Sequence, residues 1–99
     1  MKMLENKVIL ITGAGRGIGR VIAEQCAQDG AIVYTNDLQI GDMEEWAKDC
    51  SDRNGTKVSP ACFDVTDSAA LKAGLMAIYK AEGRIDCVVN NAAIIANQK

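Results

Sequence analysis

Residues 11–19 read ITGAGRGIG, four glycines in nine positions directly after the apolar run KVILI. Bare backbone at the end of an apolar run and the start of a helical pattern suits phosphate binding. Unpaired amides at a helix N-terminus and the positive end of its dipole attract an anion, provided no side chain blocks the approach. The spacing Thr12-Gly13-x-x-x-Gly17-x-Gly19 sets two common phosphate loops aside. The pattern G-x-G-x-x-G would need glycine at Ile18 or at Arg20, and a triphosphate loop would need Gly-Lys-Ser/Thr after the turn. A tight strand-to-helix turn is the alternative use of these glycines, although a bare turn rarely needs so many. Asp37 stands about 20 residues further on, at the tip of the next apolar run, where an acid can receive sugar hydroxyls. It also reads as an ordinary loop carboxylate. Asp64 follows a third such run, where turn chemistry is the simpler account, and Asn90-Asn91 continue a fourth without a break.

These residues need a frame that brings the ends of four runs together. Residues 8–11, 31–34, 57–63 and 85–89 are β-branched or apolar with little alternation, as expected of parallel strands buried on both faces. Between them lie helical spacings. Ile18, Val21, Ile22 and Cys26 form the first stripe, stopped at Gly30, and Met43, Trp46, Ala47 and Cys50 form the second, before Asn54-Gly55. Asp67 offers a cap to a third helix, with Leu71, Leu75 and Ile78 on its apolar face and Gly83 as its stop. Strands alternating with helices predict an α/β fold with a parallel sheet and right-handed crossovers. Such sheets bind ligands beyond the carboxyl ends of their strands.

Composition agrees with a small-molecule partner. The 99 residues are 48% hydrophobic, enough for one core and too few for a second full domain. A net charge of −2 without histidine provides no basic patch for nucleic acid or an anionic membrane. Cys26, Cys50, Cys62 and Cys87 form no C-x-x-C pair, so neither a zinc site nor a redox motif is predicted. Cys26 and Cys50 fall on helix stripes and Cys87 in an apolar run expected to be buried. Tyr34, Trp46 and Tyr79 read as core aromatics with no site role. The apolar run near the N-terminus is short and preceded by Glu5, unlike a signal peptide, and the expected location is the cytoplasm.

Four motifs in order carry a family likeness: Thr12-Gly13-x-x-x-Gly17-x-Gly19, Asp37, Asp64-Val65, and Asn90-Asn91-Ala92-Ala93. Together they resemble the classical short-chain dehydrogenase/reductase family over essentially the whole chain. The fourth departs from the family's Asn-Asn-Ala-Gly at Ala93, and the family's extended glycine pattern fails at Arg16. The resemblance implies a Rossmann-type sheet of order 3-2-1-4, with residues 1–99 forming a partial NAD(P)-binding domain cut short after its fourth strand. It implies a pyrophosphate near Gly13, Arg16, Gly17, Ile18 and Gly19, and an adenosine ribose near Asp37 and Leu38. By the same resemblance Asp64 accepts from the adenine amino group, Val65 contributes a backbone amide, and Asn91, Ala92 and Ala93 line the cofactor. Asn90 is implied to be more structural.

Charge selects the cofactor. The 2'-phosphate of NADP would meet Asp37 at close range, so NAD is favoured, with the basic Arg16 as the contrary feature. Hydride transfer to a carbonyl also needs a proton donor, in this family a tyrosine followed four residues later by lysine. Tyr34 is followed at that spacing by Leu38 and Tyr79 by Gly83, and Asn97 lies too close to the asparagine motif to act as the family's catalytic asparagine. No catalytic residue is assigned. Two readings remain open: the cofactor-binding half of an alcohol dehydrogenase or ketoreductase that would be a homo-oligomer at full length, and a standalone module binding a dinucleotide or adenine nucleotide.

Overall fold

A computed structural model of the chain describes residues 3–14 and 17–91. The elements run β1 (Val8–Ile11), α1 (Ile18–Gln28), β2 (Ile32–Thr35), α2 (Met43–Asn54), β3 (Val58–Pro60), α3 (Ser68–Glu82) and β4 (Cys87–Val89). All pairings are parallel and the strand order is β3-β2-β1-β4, as expected. The chain therefore steps outward from β1 to β3 and then returns to the other side of β1. That reversal opens a crevice at the carboxyl end of β1.

Alternation along β1 assigns the two faces. Ile9 and Ile11 join Ala23, Ala27, Val33, Ala47 and Cys50 in a core under α1 and α2, while Val8 and Leu10 join Tyr34 and Ile78 under α3. All four residues of β1 are buried, so the strand is apolar throughout. Each such side chain contributes roughly 1.5–3 kcal/mol of burial, an upper estimate because unfolded chains already bury some surface.

The helices start and stop where their sequences indicate. Asp67 caps α3, its Oδ1 accepting from the amides of Ala69 at 3.0 Å and Ala70 at 3.2 Å, and the helix ends before Gly83. Met43, Ala47 and Cys50 are buried on α2 as expected.

Other expectations are corrected. The buried side of α1 is Gly19, Ala23 and Ala27, with Ile22 and Cys26 at its margin, whereas Ile18 and Val21 are 72% and 68% exposed. Small residues at four-residue spacing let the helix axis approach the sheet, and this close approach sets the rotation. The third strand is shorter than residues 57–63. Pro60 has no N–H for a ladder, Ala61 donates to the Thr35 carbonyl at 2.8 Å, and a side chain then takes over the pairing. In the fourth run only Cys87–Val89 form strand, and Cys87 is exposed because β4 is the outer strand on its side. Tyr79 is exposed on α3, and Trp46 is half-buried. Among the described residues no helix is long and apolar enough to cross a membrane.

Candidate functional site

Four strand ends meet at the crevice. From the end of β1, Thr12 donates its amide to the Val89 carbonyl at 3.0 Å, and its hydroxyl lies 3.2 Å from the same oxygen and 3.3 Å from Asn90 Oδ1. The turn then bends toward β2, where the Ala14 amide donates to the Asn36 carbonyl at 2.7 Å. Asn91, 3% exposed, donates its side-chain amide to the Gly13 carbonyl at 3.0 Å. The end of β4 is thereby tied to the glycine turn from one side and the end of β2 from the other.

The glycines divide the work. Gly17 precedes α1 with φ 63° and ψ −139°, a conformation that a residue with a side chain adopts only under strain, and a Cβ placed there meets nothing within 4 Å among the described residues. Among the described residues no side chain caps the helix, and no acid lies in its first turn. Among the described residues, its first turn therefore carries no side-chain cap and no carboxylate of its own to offset the dipole. Gly19 has the opposite surroundings. A Cβ on it would lie 2.4 Å from the Gly13 carbonyl oxygen and 2.7 Å from the Ala14 Cα, so its glycine lets the helix pack on the turn. Ile18, between them, is exposed.

Asp37 follows Asn36 at the end of β2 and is half-buried; its Oδ1 accepts from the Leu38 amide at 2.7 Å, and Leu38 itself is 63% exposed. Asp64 is engaged in its own turn: Oδ1 accepts from the Thr66 hydroxyl at 2.6 Å and the Thr66 amide at 2.9 Å. These bonds, the hydroxyl's first, hold its carboxyl below the usual range. Val65 is half-buried beside it. Gly13, Gly17, Gly19 and Asn91 are thus assembled around one turn, with Asp37 and Leu38 on the neighbouring strand end. Arg16, Ala92 and Ala93 lie outside the described residues.

Asn36 is a residue the sequence reading missed. It is 2% exposed, and its side-chain amide donates to the carbonyls of Ala61 at 2.8 Å and Phe63 at 3.0 Å, just where Pro60 has ended the β3 ladder. A signal was present: Asn36 stands at the end of the second apolar run, separated from it by Thr35 alone. A second missed feature is Arg20, whose guanidinium grips the Asp42 carboxylate and lies 5.3 Å from the Trp46 ring centroid. The guanidinium holds the Asp42 carboxyl below its usual range.

Tyr34 does not join the crevice. It packs under α3, where its hydroxyl donates to Glu82 and Lys57 donates to the same carboxylate oxygen at 2.7 Å. Burial, and then the Glu82 carboxylate, push the phenol up, the reverse of a poised proton donor. A shallow apolar groove of about 310 Å³ also lies on that side, lined by Tyr34, Pro60, Ala61, Phe63, Gly74 and Ile78 among others, away from the glycine turn.

A family model described as short chain dehydrogenase matches residues 7–99. The chain is 40% identical over 91 residues to the 3-oxoacyl-(acyl-carrier-protein) reductase of Thermotoga maritima, covering 92% of this chain and 37% of that protein. It is 41% identical over 85 residues to the gluconate 5-dehydrogenase of Gluconobacter oxydans, covering 86% and 33%. The structure of L-sorbose reductase from Gluconobacter frateurii complexed with NADPH and L-sorbose matches with a TM-score of 0.84 at 32% identity, over 92% of this chain and 35% of that one. The chain thus spans little more than a third of the length of these relatives.

Proposed function

The chain belongs to the short-chain dehydrogenase family, and from that premise we propose that it is the dinucleotide-binding part of an oxidoreductase interconverting an alcohol and a ketone, using NAD in preference to NADP. The family binds NAD(P). The observation that carries the reading is the pairing of Gly17 and Asp37: a helix N-terminus with no side-chain cap among the described residues and, on the next strand end, a carboxylate. The first suits a pyrophosphate and the second accepts from ribose hydroxyls. Bound there, the dinucleotide would supply the hydride acceptor or donor.

This chain's residues then have separable roles. The amides after Gly17 hold the pyrophosphate, with Gly13 beside it and Ile18 at its margin; Arg16, outside the described residues, is assigned to it by the family resemblance alone. Gly19 and Asn91 keep the turn in shape, Asp37 and Leu38 receive the adenosine ribose, and Asp64 and Val65 lie at the adenine end. Ala92 and Ala93, outside the described residues, are assigned to the cofactor by the family resemblance alone. The proton step is assigned to no residue here, because neither tyrosine begins a Tyr-x-x-x-Lys pattern.

Titration of the chain with NAD, NADP and ADP-ribose tests the proposal. NAD and ADP-ribose are expected to compete, with NADP weaker on the order of tenfold, about 1.4 kcal/mol. Asp37→Ala should narrow that difference, part of it through weaker NAD binding. Equal affinities of the parent chain for NAD and NADP would remove the NAD preference, and no binding of either would remove the reading. Turnover of a secondary alcohol by the purified chain would exclude the binding-module alternative.

A further inference from the structure

We infer that Arg20 is a positioning residue for the adenosine half of the cofactor: by gripping Asp42 it sets where Asp37 and Leu38 stand relative to the glycine turn. This rests on the function proposed above. The connection from β2 to α2 spans residues 36–42 and is anchored at its two ends. At the first, Asn36 donates its amide to the Ile11 carbonyl at 2.8 Å and accepts from Ala14. At the second, Arg20 Nη1 lies 3.4 Å from Asp42 Oδ2 while Nη2 binds Oδ1. Between the anchors Leu38, Gln39, Ile40 and Gly41 are all exposed, so the connection after Asp37 reaches α2 with little packing of its own.

The pair is poorly explained as a device for stability alone. Asp42 occupies the N-cap position of α2 and makes no side-chain cap bond there; its carboxylate is spent on Arg20 instead. The Arg20 side chain is only 20% exposed, and its buried Nε finds no hydrogen-bond partner among the described residues, an arrangement that costs stability. Its position supplies the other reason. Arg20 directly follows Gly19 in the first turn of α1, so its fork, lying over the Trp46 ring and bound to Asp42, couples the turn facing the pyrophosphate to the loop that carries the ribose acceptor.

The test compares the parent chain with Arg20→Met, Asp42→Asn and the charge-exchanged double variant Arg20→Asp with Asp42→Arg. Each is titrated with ADP-ribose and with its 2'-phosphorylated form. Each single variant is expected to bind ADP-ribose about fivefold more weakly, with a smaller loss for the phosphorylated ligand. The ratio between the two ligands should narrow while thermal midpoints stay near the parent's. The double variant should recover part of the ratio. A parent-like ratio in Asp42→Asn, whether both affinities are unchanged or both fall by one factor, would overturn the inference and leave the proposed function standing. A parent chain that fails to bind ADP-ribose would overturn both.

Discussion

The two sides of β1 are held by different forces. Toward β2 and β3, under α1 and α2, the contacts are apolar and closed: Ile9, Ile11, Ala23, Ala27, Val33, Ala47 and Cys50 are all buried. Toward β4 and along α3 the surface is open, with Val88 46%, Tyr79 59% and Met76 62% exposed, and Ile78 the fully buried residue of the helix. Carboxylates reinforce this second side. Glu82 receives Tyr34 and Lys57, and Asp86 receives the Val8 amide at 2.8 Å as well as Arg84. Apolar burial under α1 and α2 is indifferent to pH, whereas a carboxylate anchor lasts only while ionised. The candidate cofactor turn is built on the closed side, where α1 is seated, and Asn91 and Thr12 tie it to the open one.

The largest effect separating the sides is expected from truncating their strands. Ile11→Ala should cost about 2–5 kcal/mol in urea unfolding, since the side chain is fully buried and its neighbours cannot all collapse into the space. Val88→Ala should stay within about 0.5 kcal/mol. Equal costs would mean that β4 is covered in solution and the contrast is lost.

Next in size are the glycines of the turn. Gly19→Ala forces a Cβ against the Gly13 carbonyl and should cost about 1–3 kcal/mol while also weakening ADP-ribose binding. Gly17→Ala meets no atom but carries a left-handed backbone cost of about 1–2 kcal/mol. A valine there should combine that strain with a blocked anion approach, so its binding loss is not expected to leave the fold untouched. Unfolding curves and titrations of both variants separate packing from access; unchanged binding in Gly17→Ala would show that the open space beside it is not where the anion lies.

The smallest effect sharpens the comparison through pH. Hydrogen bonds from Lys57 and then Tyr34 hold the Glu82 carboxyl below its usual range. With the folded value below the unfolded one, the stabilisation is complete above about pH 4.5 and disappears as pH falls through the folded value. Glu82→Gln should therefore flatten the acid limb of the stability curve. Hydrogen exchange near pH 4 should show α3 and β4 opening before β1 and β2. Arg53 lowers Glu24 in the same way between α1 and α2, but those helices also rest on the apolar core, so their local opening should be less sensitive. Uniform exchange across the sheet would contradict the division.

Much of this organisation was legible from residue order. The apolar runs marked the four strands, β1 to the residue; Asp67 marked the start of α3 and Gly83 its end; and the four motifs identified the crevice and the sheet order through a family likeness. These features are local, because strand and helix periods, caps and the glycine spacing are properties of neighbours along the chain. Tertiary structure decided the rest. Which side of α1 is buried depended on how closely small residues let it approach the sheet, so Ile18 and Val21 turned outward despite their hydrophobicity. The separate tasks of Gly17 and Gly19 followed from what stands opposite each: open space for one, the Gly13 carbonyl for the other. Asn36 with Ala61 and Phe63, and Arg20 with Asp42, join segments more than 20 residues apart. Periodicity carries no information about such distances, because hydrogen-bond and ion-pair partners are chosen by proximity after the chain has folded.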